Sequence, residues 1–197
     1  MKIESGTGNG YYAGIDAQNR LRTASVSSTE QHAVSSVTQK SFQVIGEATA
    51  VNGTVNVLHV KNGTADQTFT LTYMRMSSID LAGGTAVPNA ANYFELGTGM
   101  SYSSGGSATE AVNVYVGSTV LSGGTFYEAG PTLTGTFVPI DKHWPSTDAD
   151  EQSYNKEGSV MIPPGQTLTL RYTGNHTSGT LYTRFSFYVT PILALSL

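Results

Sequence analysis

The densest gathering of side chains able to do chemistry is Asp141-Lys142-His143-Trp144-Pro145-Ser146-Thr147-Asp148-Ala149-Asp150-Glu151, which holds the single Trp, one of the 4 His and four carboxylates. Asp148, Asp150 and Glu151 offer oxygens of the kind that hold Ca²⁺, but a loop site also needs a Gly at its sharp turn and a distal Glu, and both are missing. The segment therefore reads as a solvated loop. His32, His59, His143 and His176 show no i, i+4 spacing that would set two imidazoles on one helix face for zinc. His59 falls in a β-patterned stretch, where a packed, hydrogen-bonded side chain is expected. A glycosidase could draw its two acids from distant positions, yet no apolar pocket around a particular Glu can be argued from the sequence. Gly6-Thr7-Gly8-Asn9-Gly10 follows no strand and precedes no helix, so the geometry of a phosphate loop is absent. With 0 Cys, thiol nucleophiles, disulfides and Cys-held metals are excluded. No catalytic, cofactor-binding or metal-binding residue is assigned, and neither an enzyme nor a bound cofactor is expected.

Aromatic side chains suggest binding surfaces instead. Tyr is the commonest at 11, against 7 Phe and 1 Trp, and Tyr115, Tyr182 and Tyr188 fall on outward strand positions. Together with Trp144 they suit either a sugar platform or a protein interface, because such side chains combine large area with a polar tip. Interface burial is the more economical account for a charge-poor surface. Asn52, Asn62 and Asn175 each begin an Asn-x-Thr triplet and are read as turn residues.

The elements that must position these residues are strands. Charged residues make up only 12% and hydrophobic ones 39%, so Thr, Ser, Asn and Gly carry most of the polar surface, as suits pleated strands and their turns. From about residue 40 onward, apolar and polar residues alternate with period two between turn clusters. Thr54 to Asn62 reads as a strand buried partly on both sides. Gln67 to Met76 sets Phe69, Leu71 and Tyr73 against Thr68, Thr70 and Thr72. Glu110 to Leu121 places Val112, Val114 and Val116 on one face. Thr132 to Val138 turns Leu133, Gly135 and Phe137 inward, and Gln166 to Tyr172 does the same with Leu168, Leu170 and Tyr172. Thr180 to Val189 sets Leu181, Phe185, Phe187 and Val189 against Tyr182, Arg184, Ser186 and Tyr188. Weaker candidates lie at Gln43 to Ala50 and Tyr93 to Met100. Asn52-Gly53, Asn62-Gly63, Gly83-Gly84, Gly105-Gly106, Gly123-Gly124 and Pro163-Pro164-Gly165 punctuate these runs as tight turns. Ser28 to Val37 alone leans toward a helix. The expected fold is an all-β antiparallel sandwich of jelly-roll type over residues 41–197.

Residues 1–40 differ in kind. They are Gly-, Asn- and Ser-rich and then polar with isolated apolar positions, too poor in apolar surface to offset the entropy of ordering alone. They are expected to form an extended N-terminal arm. The opening residues do not pattern as a secretory signal, and no stretch approaches 18 consecutive apolar residues. The net charge is −4 with no clustered Lys or Arg, so neither nucleic acid nor membrane is an expected partner.

Gly14-Ile15-Asp16-Ala17-Gln18-Asn19-Arg20-Leu21-Arg22-Thr23-Ala24-Ser25-Val26 resembles the start of tailed-bacteriophage virion proteins, in which a V/I-D-x-x-N-R-L motif leads into a short strand and a long polar connection. The similarity continues at Lys40-Ser41-Phe42-Gln43-Val44 and Val60-Lys61-Asn62. It returns at Ile162-Pro163-Pro164-Gly165-Gln166-Thr167-Leu168-Thr169-Leu170-Arg171-Tyr172, which is similar to the turn and strand preceding the last strand of their jelly roll. The resemblance covers about a third of the chain and leaves residues 80–160 unmatched. It implies a head cement or decoration protein, typically a homotrimer, bound to the major capsid protein on the capsid surface and made in the host cytoplasm. Ile15, Asp16, Asn19, Arg20, Leu21 and Val26 would then be interface residues of the arm. A carbohydrate-binding module or receptor-binding fibre or spike head, using Trp144 and the outward Tyr residues, is the alternative.

Overall fold

In the computed structural model the chain divides into two units, 1–30 and 31–197, and the structure describes residues 14–15, 21–22, 34, 38–85, 90–145 and 151–192. In the first unit β1 (Gly14–Ile15) pairs antiparallel with β2 (Leu21–Arg22), setting Ile15 opposite Leu21. The two ends of the I-D-x-x-N-R-L motif are thus the two legs of a short hairpin.

The second unit is built from β3 (Ser41–Thr49), β4 (Gly53–Asn62), β5 (Gln67–Ala82), β6 (Tyr93–Ser104), β7 (Ser107–Thr109), β8 (Val112–Asn113), β9 (Gly124–Glu128), β10 (Thr132–His143), β11 (Glu151–Ile162), β12 (Thr167–Gly174) and β13 (Ser178–Pro191). One sheet runs β10-β6-β12-β4-β9-β7 and the other β11-β5-β13-β3-β8. Without the short inserted strands β7, β8 and β9, the remaining eight form two four-stranded sheets, β11-β5-β13-β3 and β10-β6-β12-β4. Every pairing is antiparallel, and only β6 and β10, among consecutive strands of the eight, share a sheet. This is the strand order of a jelly roll.

The core lies between the sheets. Phe187 stacks against Phe69 and Phe42, with ring centroids 5.0 and 5.7 Å apart, and Phe126 of β9 closes the group at 6.0 Å. Leu58, Leu96, Leu168, Leu170 and Tyr172 from the facing sheet are fully buried, and burying each large apolar side chain contributes about 1.5–3 kcal/mol. The sheets approach so closely at Gly46 that an added Cβ would lie 2.9 Å from Leu58 Cβ. Between β4 and β5, the buried Asn62 side chain donates to Gln67 O (2.7 Å) and Ile162 O (2.8 Å) and accepts from Thr64 N (3.0 Å) and Thr64 Oγ1 (2.7 Å). Asn62 is thus a turn residue whose amide is consumed inside the fold.

Three local expectations fail, each for an identifiable reason. Tyr73 does not share the inner face with Phe69 and Leu71: β5 pairs Leu71 with Phe187 but Tyr73 with Ser186, leaving Thr72 as an extra residue. That bulge moves the buried set to Met74 and Met76 and turns Tyr73 outward. Phe137 likewise faces outward, lying over Gly97, because the β10·β6 register shifts between Gly135 and Val138 and again between Pro139 and Asp141. Glu110 to Leu121 is no long strand. Only Val112–Asn113 pairs, with Phe42 and Gln43 at the edge of β3; the rest of the segment is a loop in which Val120 packs against the core while Val114, Tyr115, Val116 and Leu121 stand in solvent. The stretch Ser28 to Val37 lies, Val34 apart, outside the described residues.

Candidate functional site

Two outward surfaces of the sandwich carry the side chains able to bind. On the six-stranded sheet, register sets Arg171 of β12, Glu95 of β6 and Lys142 of β10 in one row across three strands. Arg171 donates to Glu95 Oε2 through Nε (2.9 Å) and Nη2 (2.7 Å), while Lys142 Nζ stands 3.8 Å from Oε1. Glu95 is buried, so these charge-assisted bonds are what its carboxylate has in place of water. Lys142 Nζ also sits 3.3 Å from the centroid of Tyr93 and 5.3 Å from that of Trp144. At the other end of the row, the Arg171 guanidinium lies 3.6 Å from the Phe137 ring centroid. Gly97 makes that stacking possible, since a Cβ there would fall 2.3 Å from Phe137 Cζ. Two cations thus share one carboxylate beneath a half-exposed Trp144, whose ring is 6.4 Å from Tyr93.

The end of β10 is tied to β11 of the other sheet. Asp141 Oδ2 accepts from Lys156 and stands 3.1 Å from His143 Nε2, and Asp141 Oδ1 accepts the Lys142 N–H at 2.9 Å. The His143 ring lies 4.0 Å from that of Tyr154, tilted by 39°, and Gln152 donates to Trp144 O at 2.6 Å. Burial works to raise the Asp141 carboxyl, but the Lys156 hydrogen bond, the His143 charge and the Lys142 N–H outweigh it and hold the group below its usual range. Burial pushes His143 down, and the Asp141 charge only partly offsets this. Elsewhere on the same sheet, His59 is fully buried and bonded through Nδ1 to Thr169 Oγ1 at 2.8 Å. Desolvation, with the nearby Lys61 charge, lowers it to about 4, so it is a neutral packed histidine. His176 is buried too, 3.1 Å from the Tyr172 hydroxyl.

The outer face of the five-stranded sheet is more open. Ile45, 59% exposed, and Ile79 flank Tyr182, Arg75 and Arg184 around a depression of about 280 Å³. Arg75 pairs with Glu151. The Tyr73 and Ser153 hydroxyl oxygens are 2.7 Å apart, and this bond, which Ser153 can donate to the phenolate, together with the Arg184 and Arg75 charges holds the Tyr73 hydroxyl below the usual tyrosine range. Glu47 and Glu128 line a second depression, where Glu128 Oε2 accepts the Glu47 N–H at 2.8 Å. Among the described residues no three His, Asp or Glu side chains gather closely enough to hold a metal ion.

Of the binding residues expected from sequence, Trp144 (49% exposed) and Tyr115 reach solvent, and Tyr182 is half-buried. Tyr188 is a correction. It lies on the outer side, but at 6% exposure, between the equally buried Ser41 and Thr70 of the neighbouring strands, because alternation fixes the side of a sheet and not whether that side is covered. Trp144, Tyr115 and Tyr182 belong to three different surfaces. Ile15 and Leu21 are opposite in the β1·β2 hairpin, whereas Asp16, Asn19, Arg20 and Val26, like Asp148 and Asp150, lie outside the described residues. The Arg171-Glu95-Lys142 row escapes sequence reading because Glu95 and Arg171 are 76 positions apart. Comparison with models of known protein families, with curated proteins and with solved structures finds no match.

Proposed function

We propose that this chain is a structural protein of a bacteriophage virion, a cement or decoration protein that binds the major capsid protein as a homo-oligomer, with a homotrimer as the arrangement. The observation that supports it is where the apolar surface lies. Ile45 and Ile79, exposed on the outer face of the five-stranded sheet, and Val114, Tyr115, Val116 and Leu121 of the loop after β8 are displayed outward in place of lining a closed cleft, as suits a protein whose work is contact area. Jelly rolls serve both capsids and lectins, and fold alone does not choose between them; the motif from Ile15 to Leu21 weighs toward the virion. In this reading the arm, residues 1–40, reaches a neighbouring subunit by adding strand pairing and small contacts, and the protein acts on the capsid surface without a reaction, a cofactor, nucleic acid or membrane. The test is mass spectrometry of gradient-purified particles of the phage that encodes the chain. A fixed copy number per particle is expected, and particles without the chain would overturn the reading. Removal of residues 1–40 should leave a folded jelly roll that no longer stays with the particles.

A second reading, a carbohydrate-binding module or receptor-binding spike head, is favoured by one observation, the half-exposed Trp144 beside Tyr93 and Lys142. Its test is glycan-array binding that disappears in Trp144→Ala.

A further inference from the structure

From Ala111 to Tyr127, between Glu110 and Glu128, the chain has no charged residue. Within that run Val116 is 95% exposed, Leu121 86% and Val112 68%, with Val114 and Tyr115 nearly half exposed. A slack loop would fold such side chains against the body of the protein. This one is fastened. Asn113 Nδ2 donates to Gln39 O (2.6 Å), Ser118 Oγ (3.2 Å) and Val120 O (3.2 Å), and Asn113 Oδ1 accepts from Tyr115 N at 2.9 Å. Val114 N donates to Ser41 O (2.9 Å), and Ser118 N closes a turn onto Tyr115 O (3.0 Å). These bonds, with Val120 packed against the core, hold the loop in shape while the five exposed apolar groups are left in water, so docking them costs little conformational entropy.

We propose that the 112–121 loop is the surface through which copies of this chain associate, each offering the same patch around a symmetry axis. The five residues expose roughly 600 Å², backbone included, on the scale of the largest surface patch of a monomer, which is often functional. Two copies meeting patch to patch would bury at most about 1,200 Å², a span that reaches the ~1,000 Å² expected of a specific interface. The occupant is a second copy because the chain carries a net charge of −4, so copies repel one another in general and approach most easily across a surface without charge. Closed symmetry then presents the same patch from every copy. The inference rests on the homo-oligomer in the reading above and not on the capsid.

The experiment is sedimentation velocity of the full chain over a wide concentration series, alongside Val116→Asp, Leu121→Asp and the double variant. Wild type should assemble reversibly, each single variant should weaken assembly at least about tenfold, and the double variant should be monomeric with an unchanged unfolding midpoint. Should an Asp variant fail to fold, Val116→Thr with Leu121→Asn takes its place. Because the chain has 0 Cys, Val116→Cys supplies a single thiol, and a short bis-maleimide should link two copies through it. A wild type that stays monomeric throughout, an oligomer that survives the double variant, or an assembled Val116→Cys form that never cross-links would overturn the proposal. Particles lacking the chain would sink the virion reading and leave this contact to be judged on sedimentation alone.

Discussion

Phe69–Met76 in β5 and Val112–Val116, which spans β8 and the start of the loop after it, are written with the same pattern, apolar residues alternating with polar ones, yet the first is core and the second is surface. β5 runs 16 residues between β11 and β13, whereas β8 is two residues long and pairs only with β3 at the sheet edge. Alternation makes a face available for burial. A long strand on each side and a sheet opposite are what bury it. Where those neighbours are missing, the same β-branched residues become a sticky surface.

The difference predicts its own largest test. Phe187→Ala removes the ring that stacks on Phe42 and Phe69 and meets Phe126, and should destabilise by about 3–5 kcal/mol. For a unit of this size that is a fall of roughly 10 °C in Tm. Val116→Ala should change stability by less than about 0.5 kcal/mol. Calorimetry on the two variants checks the contrast, and comparable losses from both would mean that the loop is packed after all.

The next effect is in pH and separates the buried polar groups of the sandwich from its exposed ones. His59 is lowered to about 4 when folded and returns to the ordinary histidine value of 6.5 when unfolded, so the unfolded chain binds the extra proton between those values. Stability should be whole above pH 6.5 and fall as the pH drops toward 4, by up to about 3 kcal/mol from this group. The depressed His143 and Asp141 act in the same direction, Asp141 only toward the acid end. Urea midpoints between pH 7.5 and 4.5 should show the loss, and His59→Gln, which can keep the Thr169 bond, should flatten it. An equally steep profile in His59→Gln would remove His59 as the cause.

Much of the jelly roll was legible in the sequence, because strands such as Gln166 to Tyr172 and Thr180 to Val189 carry their buried face at a period the pleat imposes and lie between turns of unmistakable chemistry. What was not legible depends on partners. The phase slip at Thr72 exists only in the pairing with the neighbouring strands, against β13, where Thr72 Oγ1 donates to Ser186 O at 3.0 Å, and against β11, whose register with β5 breaks between Tyr73 and Leu71, and nothing in Thr70-Leu71-Thr72-Tyr73 announces it. Trp144 could be singled out by type, but not the Lys142, Glu95 and Arg171 beneath it. The exposed loop did leave a signal, a run of seventeen residues without a charge, which alternation disguised as a strand.

The smallest expected effect compares two arginines on opposite outer faces. Arg171 is bound to a buried carboxylate, whereas the ion pair on the other face belongs to Arg75 and no carboxylate partner stands by Arg184 among the described residues. Glu95→Gln preserves shape but leaves Arg171 and Lys142 as neighbouring cations without the charge between them. Because Glu95 is buried and Arg171 only partly so, the loss should exceed that of a surface pair and come to about 1–2 kcal/mol. Arg184→Gln should cost less than about 0.5 kcal/mol. Chemical denaturation of the two variants settles which arginine the fold depends on: equal losses would show that Arg184, like Arg171, holds the sandwich together, whereas the predicted inequality leaves Arg184 on the five-stranded face without that role.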